Sequence, residues 1–99
     1  MATKGLTSKK LLDEAKMNGK ISLFSDVSIE AGGNLAFHEH HGEAEAYYIL
    51  EGEGLYDDDH EKEFVVKAGD VTYCADGHGH GIANAGDSTL RFIALIING

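Results

Sequence analysis

Basic residues are scarce in this sequence of 99 residues: eight Lys and Arg stand against 17 Asp and Glu, which gives a formal charge of −9. Because nucleic-acid phosphates and anionic membrane surfaces are bound by basic faces, this charge argues against both kinds of partner. The sequence also lacks an apolar run long enough to span a bilayer and the apolar N-terminal segment of a secretory signal. We therefore expect a cytoplasmic protein with no nucleic-acid and no membrane partner.

The scarcity of cysteine and the absence of proline limit the chain further. Cys74 is the single cysteine, so no disulfide can form within the chain. Proline is absent and glycine occurs 13 times, so the turns must rely on Gly, Asn and Asp. This turn chemistry suits many short strands, and the length suits one domain.

Alternation of apolar and polar residues begins after Gly19 and continues to the C-terminus. The pattern divides into about nine short strands, which predicts an all-β sandwich or barrel over residues 20–99. One of the turns is expected at Ala31-Gly32-Gly33, between strands at 26–30 and 34–39. Residues 8–17 (SKKLLDEAKM) favour a helix that ends at Asn18-Gly19, so we expect a short N-terminal helical extension over residues 1–19.

The candidate functional residues cluster in the first half of the chain. His38 and His40 are two residues apart in an extended run, so their imidazoles should project to the same side. Glu45 begins the next strand-like run and can bring a carboxylate to the same place if that strand folds back. Two nitrogens and one oxygen outline a metal site. Glu43 faces the same way by strand period and is the alternative to Glu45.

Two glycine-framed patterns contain these residues. In the first, five, one, four and six residues separate Gly32, His38, His40, Glu45 and Gly52. In the second, five, one, two and three residues separate Gly69, Ala75, Gly77, His80 and Asn84. Together they resemble the two signature motifs of the cupin superfamily. The second departs from the family at Ala75, where cupins have a proline, which loses a preset φ but removes no ligand.

The resemblance implies a single-domain jelly-roll barrel, also called a double-stranded β-helix, with a metal inside it. The implied metal ligands are His38, His40, Glu45 and His80, and the implied cofactor is one divalent ion of manganese, iron, nickel, copper or zinc. The donor types agree independently, because three nitrogens and one oxygen suit a transition metal better than calcium. An octahedral ion with four protein ligands would keep two positions open. Each histidine also needs a partner for its second nitrogen.

The remaining histidines have weaker claims to a role. His41 and His78 stand at variable motif positions beside the implied ligands, and His78 is the substitute for His80 if the register differs. His60 lies in the charged segment DDDHEK, residues 57–62, which we interpret as a solvated hairpin tip. A second cation site made by the three aspartates of that segment is the weaker alternative.

Two other residue types near the motifs carry expectations. Strand alternation predicts that one of Tyr47 and Tyr48 lines the barrel cavity and the other does not. An inward phenol could orient a substrate or donate a proton, although core packing is the more common role. Cys74 is interpreted as a buried and inert strand thiol.

Three functions are compatible with these residues. The first is a metal-dependent enzyme that acts on a small organic molecule, as an oxygenase, isomerase, decarboxylase or lyase. The second is a small-molecule or metal-binding module, or a sensor, without turnover. The third is a purely structural metal, against which the small side chains of Ala36, Ala44 and Ala46 argue. We also expect a homodimer, since a small barrel has strand edges to cover.

Overall fold

The computed structural model describes residues 2–99 and forms eight strands and one short 3₁₀ helix from them. The 3₁₀ helix covers Glu14–Met17. The strands are β1 (Lys4–Lys10), β2 (Ile21–Glu39), β3 (Glu43–Glu51), β4 (Glu53–Asp58), β5 (Lys62–Lys67), β6 (Val71–Cys74), β7 (Gly79–Asn84) and β8 (Leu90–Asn98). The expected all-β jelly-roll barrel is confirmed. Residues 20–99 form seven strands in place of the predicted nine or so, and β1 precedes them.

All strand pairs are antiparallel, and β2 connects the two halves of the barrel. The strand order is β5-β4-β7-β2-β8-β3-β6, with β1 beside β2. The first part of β2 pairs with β8, from Ile21 to Ile29, and the second part pairs with β7, from Asn34 to Glu39. One strand of 19 residues therefore carries both core residues and His38 toward the same interior, and His40 follows directly after it.

The predicted N-terminal helix over residues 8–17 is wrong. Residues Lys4–Lys10 form β1, which pairs with β2 from Leu6 opposite Ile29 to Lys10 opposite Ser25. Only the 3₁₀ helix remains, and it ends at Asn18, which has φ 55°. Helix propensity is a weak preference that tertiary contacts override. Here the free edge of β2 supplies backbone partners, and the Leu6 side chain packs against the core.

The predicted turn at Ala31–Gly33 is also replaced by continuous strand. The chain passes through this region with Gly32 at φ 81° and with an irregular register between Lys4 and Leu6 on the facing strand. A Cβ atom on Gly33 would lie 2.7 Å from the carbonyl oxygen of Lys4. The glycines therefore serve a bulge that lets β1 approach β2 closely, and they do not reverse the chain.

The apolar core lies between the inward faces of β2, β3, β4, β5, β7 and β8. Alternation places its members on one side of each strand, and they are Val27, Ile29, Tyr47, Ile49, Tyr56, Val66, Ile82, Leu90, Phe92 and Ala94. Tyr47 joins this core to the histidines, because its ring lies 4.5 Å from that of Phe92 and 4.8 Å from that of His80. Among residues 2–99, no helix has the length and apolar character that crossing a membrane would need.

Two motif glycines with positive φ make different demands on the fold. Gly52 has φ 83°, and a Cβ atom there would lie 2.9 Å from Leu90 Cα and closer still to the Thr89 carbonyl oxygen. Gly69 has φ 94°, and a Cβ atom there would meet nothing within 4 Å. Gly69 is therefore needed for its backbone conformation alone, whereas Gly52 also leaves room for β8.

We expect Gly69→Ala to lower the free energy of unfolding by about 1–2 kcal/mol, the cost of a left-handed alanine. Gly52→Ala should cost clearly more, because the backbone of β8 must move as well. Urea unfolding of both variants and of the wild type measures the difference. Equal losses in the two variants would show that the contact with Thr89 and Leu90 is not restrictive.

Candidate metal centre

Three strands and one loop bring the four implied ligands together. His38 on β2 and His80 on β7 are direct partners in the antiparallel ladder, so their side chains lie side by side on the inner face. Glu45 lies on the inner face of β3 and is buried. His40 follows the end of β2, and the loop before β7 fixes its backbone: the Gly77 N–H donates to the His40 carbonyl at 2.7 Å.

The donor atoms of these residues converge on one point. Glu45 Oε1 lies 2.8 Å from His40 Nε2, 2.8 Å from His80 Nε2 and 3.3 Å from His38 Nε2. The Nε2 atoms of His40 and His80 are 3.2 Å apart, and all four donor atoms lie within 4.8 Å of one another. Metal–ligand bonds of about 2.0–2.2 Å place adjacent ligand atoms about 3.0–3.4 Å apart. The cluster therefore has the dimensions of a metal shell.

Each histidine has its other ring nitrogen occupied. His38 Nδ1 lies 2.9 Å from the Ala36 carbonyl oxygen, and His40 Nδ1 lies 2.7 Å from Glu43 Oε1. A carbonyl oxygen and an ionised carboxylate can only accept hydrogen bonds, so in each ring Nδ1 carries the hydrogen. His80 Nδ1 lies 2.7 Å from the Tyr56 hydroxyl, which can accept in the same way.

When the rings are neutral, their Nε2 lone pairs therefore face the lone pairs of Glu45. Such an arrangement is repulsive unless a cation or protons lie between the atoms. In metal-binding histidines, one ring nitrogen typically donates a hydrogen bond to a protein group and the other binds the metal. The residues present therefore fit a divalent transition metal. Glu43, the alternative ligand in the sequence, contacts His40 and is not in the cluster.

The charge states of Glu45 and His80 also suit a metal. Burial raises the pKa of the Glu45 carboxyl, but the hydrogen bonds that His38 and His80 donate when Nε2 carries a hydrogen outweigh burial and hold this pKa at about 2. The hydrogen bond to Glu45 raises the pKa of His38, whereas burial lowers the pKa of His80. Glu45 is thus ionised and His80 neutral at neutral pH, which are the forms that bind metals.

A cavity of about 430 Å³ reaches the cluster from one side. His38, His40 and Glu45 line it at the cluster, while His80 lies behind them and is fully buried. Most of the remaining wall is apolar and comes from β1, β2, β3 and β8: Leu6, Leu23, Val27, Leu35, Phe37, Tyr47, Phe92, Ala94 and Ile96. A small molecule can therefore reach the cluster on the side of His38, His40 and Glu45.

The other histidines lie outside the cluster. The exposed His78 places Nδ1 2.8 Å from Asp59 Oδ2, and the exposed His41 places Nε2 3.3 Å from Glu39 Oε1. His60 is exposed, as expected for the hairpin tip, and stacks on Phe37 at 3.6 Å. The structure thus brings His80, and not His78, to the cluster.

Two aspartates of the hairpin tip accept backbone hydrogen bonds, one within the tip and one from the start of β7. Asp57 accepts the backbone N–H of His60 at 2.9 Å, and Asp59 accepts that of Gly79 at 3.0 Å. Over residues 2–99 no second group of potential metal donors accompanies the cluster of His38, His40, Glu45 and His80.

Alternation correctly predicted the tyrosine pair, and one further role was missed. Tyr47 is fully buried and lines the cavity, whereas Tyr48 is 48% exposed. Tyr56 was not singled out, although the inward pattern of Gly54 and Tyr56 on β4 could have indicated a buried phenol. Burial raises the pKa of the Cys74 thiol to about 11, so it stays protonated at neutral pH, in agreement with an inert thiol.

A jelly-roll barrel with three histidines and a glutamate gathered in its interior is the architecture of a cupin. The cupin domain family matches residues 25–96, and the chain belongs to this family. The resemblance seen in the two sequence motifs is therefore confirmed.

Curated relatives and solved structures resemble most of the chain. An oxalate-binding protein of Thermotoga maritima is 41% identical over 87 residues, which cover 88% of this chain and 71% of the relative. An uncharacterized protein of Methanocaldococcus jannaschii is 34% identical over 89 residues, covering 90% and 70%. The crystal structure of a predicted oxalate decarboxylase from Thermotoga maritima superposes with a TM-score of 0.92 at 38% identity, covering 95% and 81%.

Replacement of a single donor should separate the cluster from the other histidines. We expect His40→Ala to lower metal content sharply, because one of four donors is lost and Glu43 is left without its partner. His60→Ala is the matched control and should keep the metal content of the wild type. Elemental analysis by plasma mass spectrometry, on protein purified without chelator or nickel resin, measures both. Equal metal content in the two variants would contradict this assignment.

Proposed function

We propose that this cupin is a metal-dependent oxalate-binding protein. One divalent transition metal is held by His38, His40, Glu45 and His80, and oxalate binds to it from the cavity. The observation that carries the proposal is the convergence of three Nε2 atoms and Glu45 Oε1 at the wall of an accessible cavity. The resemblance to an oxalate-binding protein supports the choice of ligand.

The charge of such a site favours a small anion. Three neutral imidazoles and one carboxylate leave a divalent ion with one net positive charge, in a chain whose formal charge is −9. The ion would supply positive charge and free coordination positions for carboxylate oxygens. The apolar cavity wall keeps water away and so strengthens the attraction between ion and anion. Among the residues that line the cavity, Glu45 is the one carboxylate that would oppose an anion.

The side chains that line the cavity favour binding of oxalate without turnover over its decarboxylation. Conversion of oxalate to formate and carbon dioxide needs a proton delivered to the carbon that loses carbon dioxide. Apart from the proposed ligands, Tyr47 is the one titratable side chain that lines the cavity. Burial raises its pKa well above the usual value, so the phenol releases its proton less readily. Decarboxylation is the second candidate, because the similar Thermotoga structure is of a predicted oxalate decarboxylase.

Calorimetry with oxalate tests the proposal. Protein loaded in turn with manganese, iron, nickel, copper or zinc should bind oxalate with at least one metal, and chelated protein should not. Oxalate should bind more tightly than succinate, since two adjacent carboxylates can chelate one ion and two distant ones cannot. Absence of binding with every metal, or equal binding to chelated protein, would contradict the proposal. Release of formate by the loaded protein would select decarboxylation.

We also propose that the chain forms a homodimer. The apolar side chains of Tyr48, Val71 and Tyr73 are 48%, 67% and 62% exposed on β3 and the edge strand β6. A second copy would remove this apolar area from water. Light scattering at micromolar concentration should give twice the chain mass of 10.6 kDa. A mass equal to one chain would refute the dimer. The cytoplasmic location that the sequence led us to expect also stays a prediction.

A further inference from the structure

Tyr47 lines the cavity beside the metal cluster but is not one of the proposed ligands. It lies two residues after Glu45 on β3, so both side chains point inward. Its ring packs between Phe92 and His80 and is nearly parallel to the His80 ring, with 17° between the planes. These contacts fix the ring and therefore fix where the hydroxyl lies.

The Tyr47 hydroxyl lies 3.2 Å from Glu45 Oε1 and 3.2 Å from His80 Nε2. No other hydrogen-bond partner of this hydroxyl occurs among residues 2–99. Of the side chains that line the cavity, Tyr47 is the one outside the proposed ligand set with a polar atom within hydrogen-bond distance of that set. The phenol therefore lies where the cluster meets the cavity.

Both partners of this hydroxyl are proposed ligands. When His80 Nε2 and Glu45 Oε1 bind an ion, the nitrogen lone pair is used and the oxygen is shared. The phenol is fully buried, and a buried donor without a good acceptor is costly. A hydroxyl hydrogen rotates to suit its surroundings, so the oxygen of a small molecule bound beside the cluster can receive it.

We propose that the Tyr47 hydroxyl donates a hydrogen bond to a carboxylate oxygen of the anion bound at the metal, and so positions that anion. The inference rests on the proposed oxalate binding and adds a residue to it. Tyr47 is a positioning residue that acts on affinity for the anion and not on affinity for the metal.

The test compares Tyr47→Phe with Tyr48→Phe, its exposed neighbour on the same strand. Metal content should match the wild type in both variants, because all four proposed ligands remain. The oxalate dissociation constant, measured by calorimetry on metal-loaded protein, should rise about 10- to 100-fold in Tyr47→Phe, as expected for loss of a hydrogen bond to a charged group. It should stay unchanged in Tyr48→Phe.

A spectroscopic signature separates positioning from a merely structural role. Oxalate added to metal-loaded wild type should change the near-ultraviolet absorption of tyrosine. The same change should occur in Tyr48→Phe and be lost in Tyr47→Phe. The wild-type spectrum alone is informative even if a variant does not fold, since no change on oxalate binding would overturn the inference.

The possible failures are distinguishable. If loaded wild type does not bind oxalate, the proposed function fails and this inference fails with it. If wild type and Tyr47→Phe bind oxalate equally well, only the role of Tyr47 is overturned. If Tyr47→Phe loses the metal, or if ferric wild type shows a phenolate charge-transfer band that Tyr47→Phe lacks, Tyr47 is a metal ligand and the positioning role is overturned.

Discussion

The buried carboxylate of Glu45 is the interaction on which the rest of the site depends. An ionised carboxylate withdrawn from water is costly unless opposite charge and hydrogen-bond donors compensate for the lost water. Glu45 Oε1 lies 2.8–3.3 Å from the Nε2 atoms of His38, His40 and His80. Neutral rings held through Nδ1 offer lone pairs and no hydrogens at this point. One divalent cation would compensate the carboxylate and the three lone pairs together, which a single proton cannot do.

The barrel turns this electrostatic requirement into a fixed geometry. Antiparallel pairing sets His38 directly opposite His80, and a shift of one residue in that register would turn one of them out of the interior. Glycine at position 79 permits the close approach of β2 and β7, since a Cβ atom there would lie 2.9 Å from the His38 carbonyl oxygen and closer still to the Phe37 ring. Gly79, which directly precedes His80, thus helps to place the histidines of both motifs.

The sequence predicts well whatever depends on local spacing. The interval between His38 and His40, the motif position of Glu45 and the alternation at Tyr47 all follow from strand period, and the structure brings these side chains to one place. Contacts between strands that are far apart in the sequence could not be predicted in this way. The partner of His80 is Tyr56, which β4 supplies by pairing with β7. The N-terminal helix failed for the same reason, because pairing of Lys4–Lys10 with the distant edge of β2 overrides local helix propensity.

The most direct test of the metal centre is anomalous X-ray diffraction from crystals of the metal-loaded protein grown with oxalate. Data collected at the absorption edge of the bound metal locate the ion without reference to any assumed ligand. We expect one peak per chain about 2.0–2.3 Å from the Nε2 atoms of His38, His40 and His80 and from a Glu45 carboxylate oxygen, with oxalate on its cavity side. A peak elsewhere, or no peak and histidines that contact Glu45 directly, would contradict a metal-dependent function.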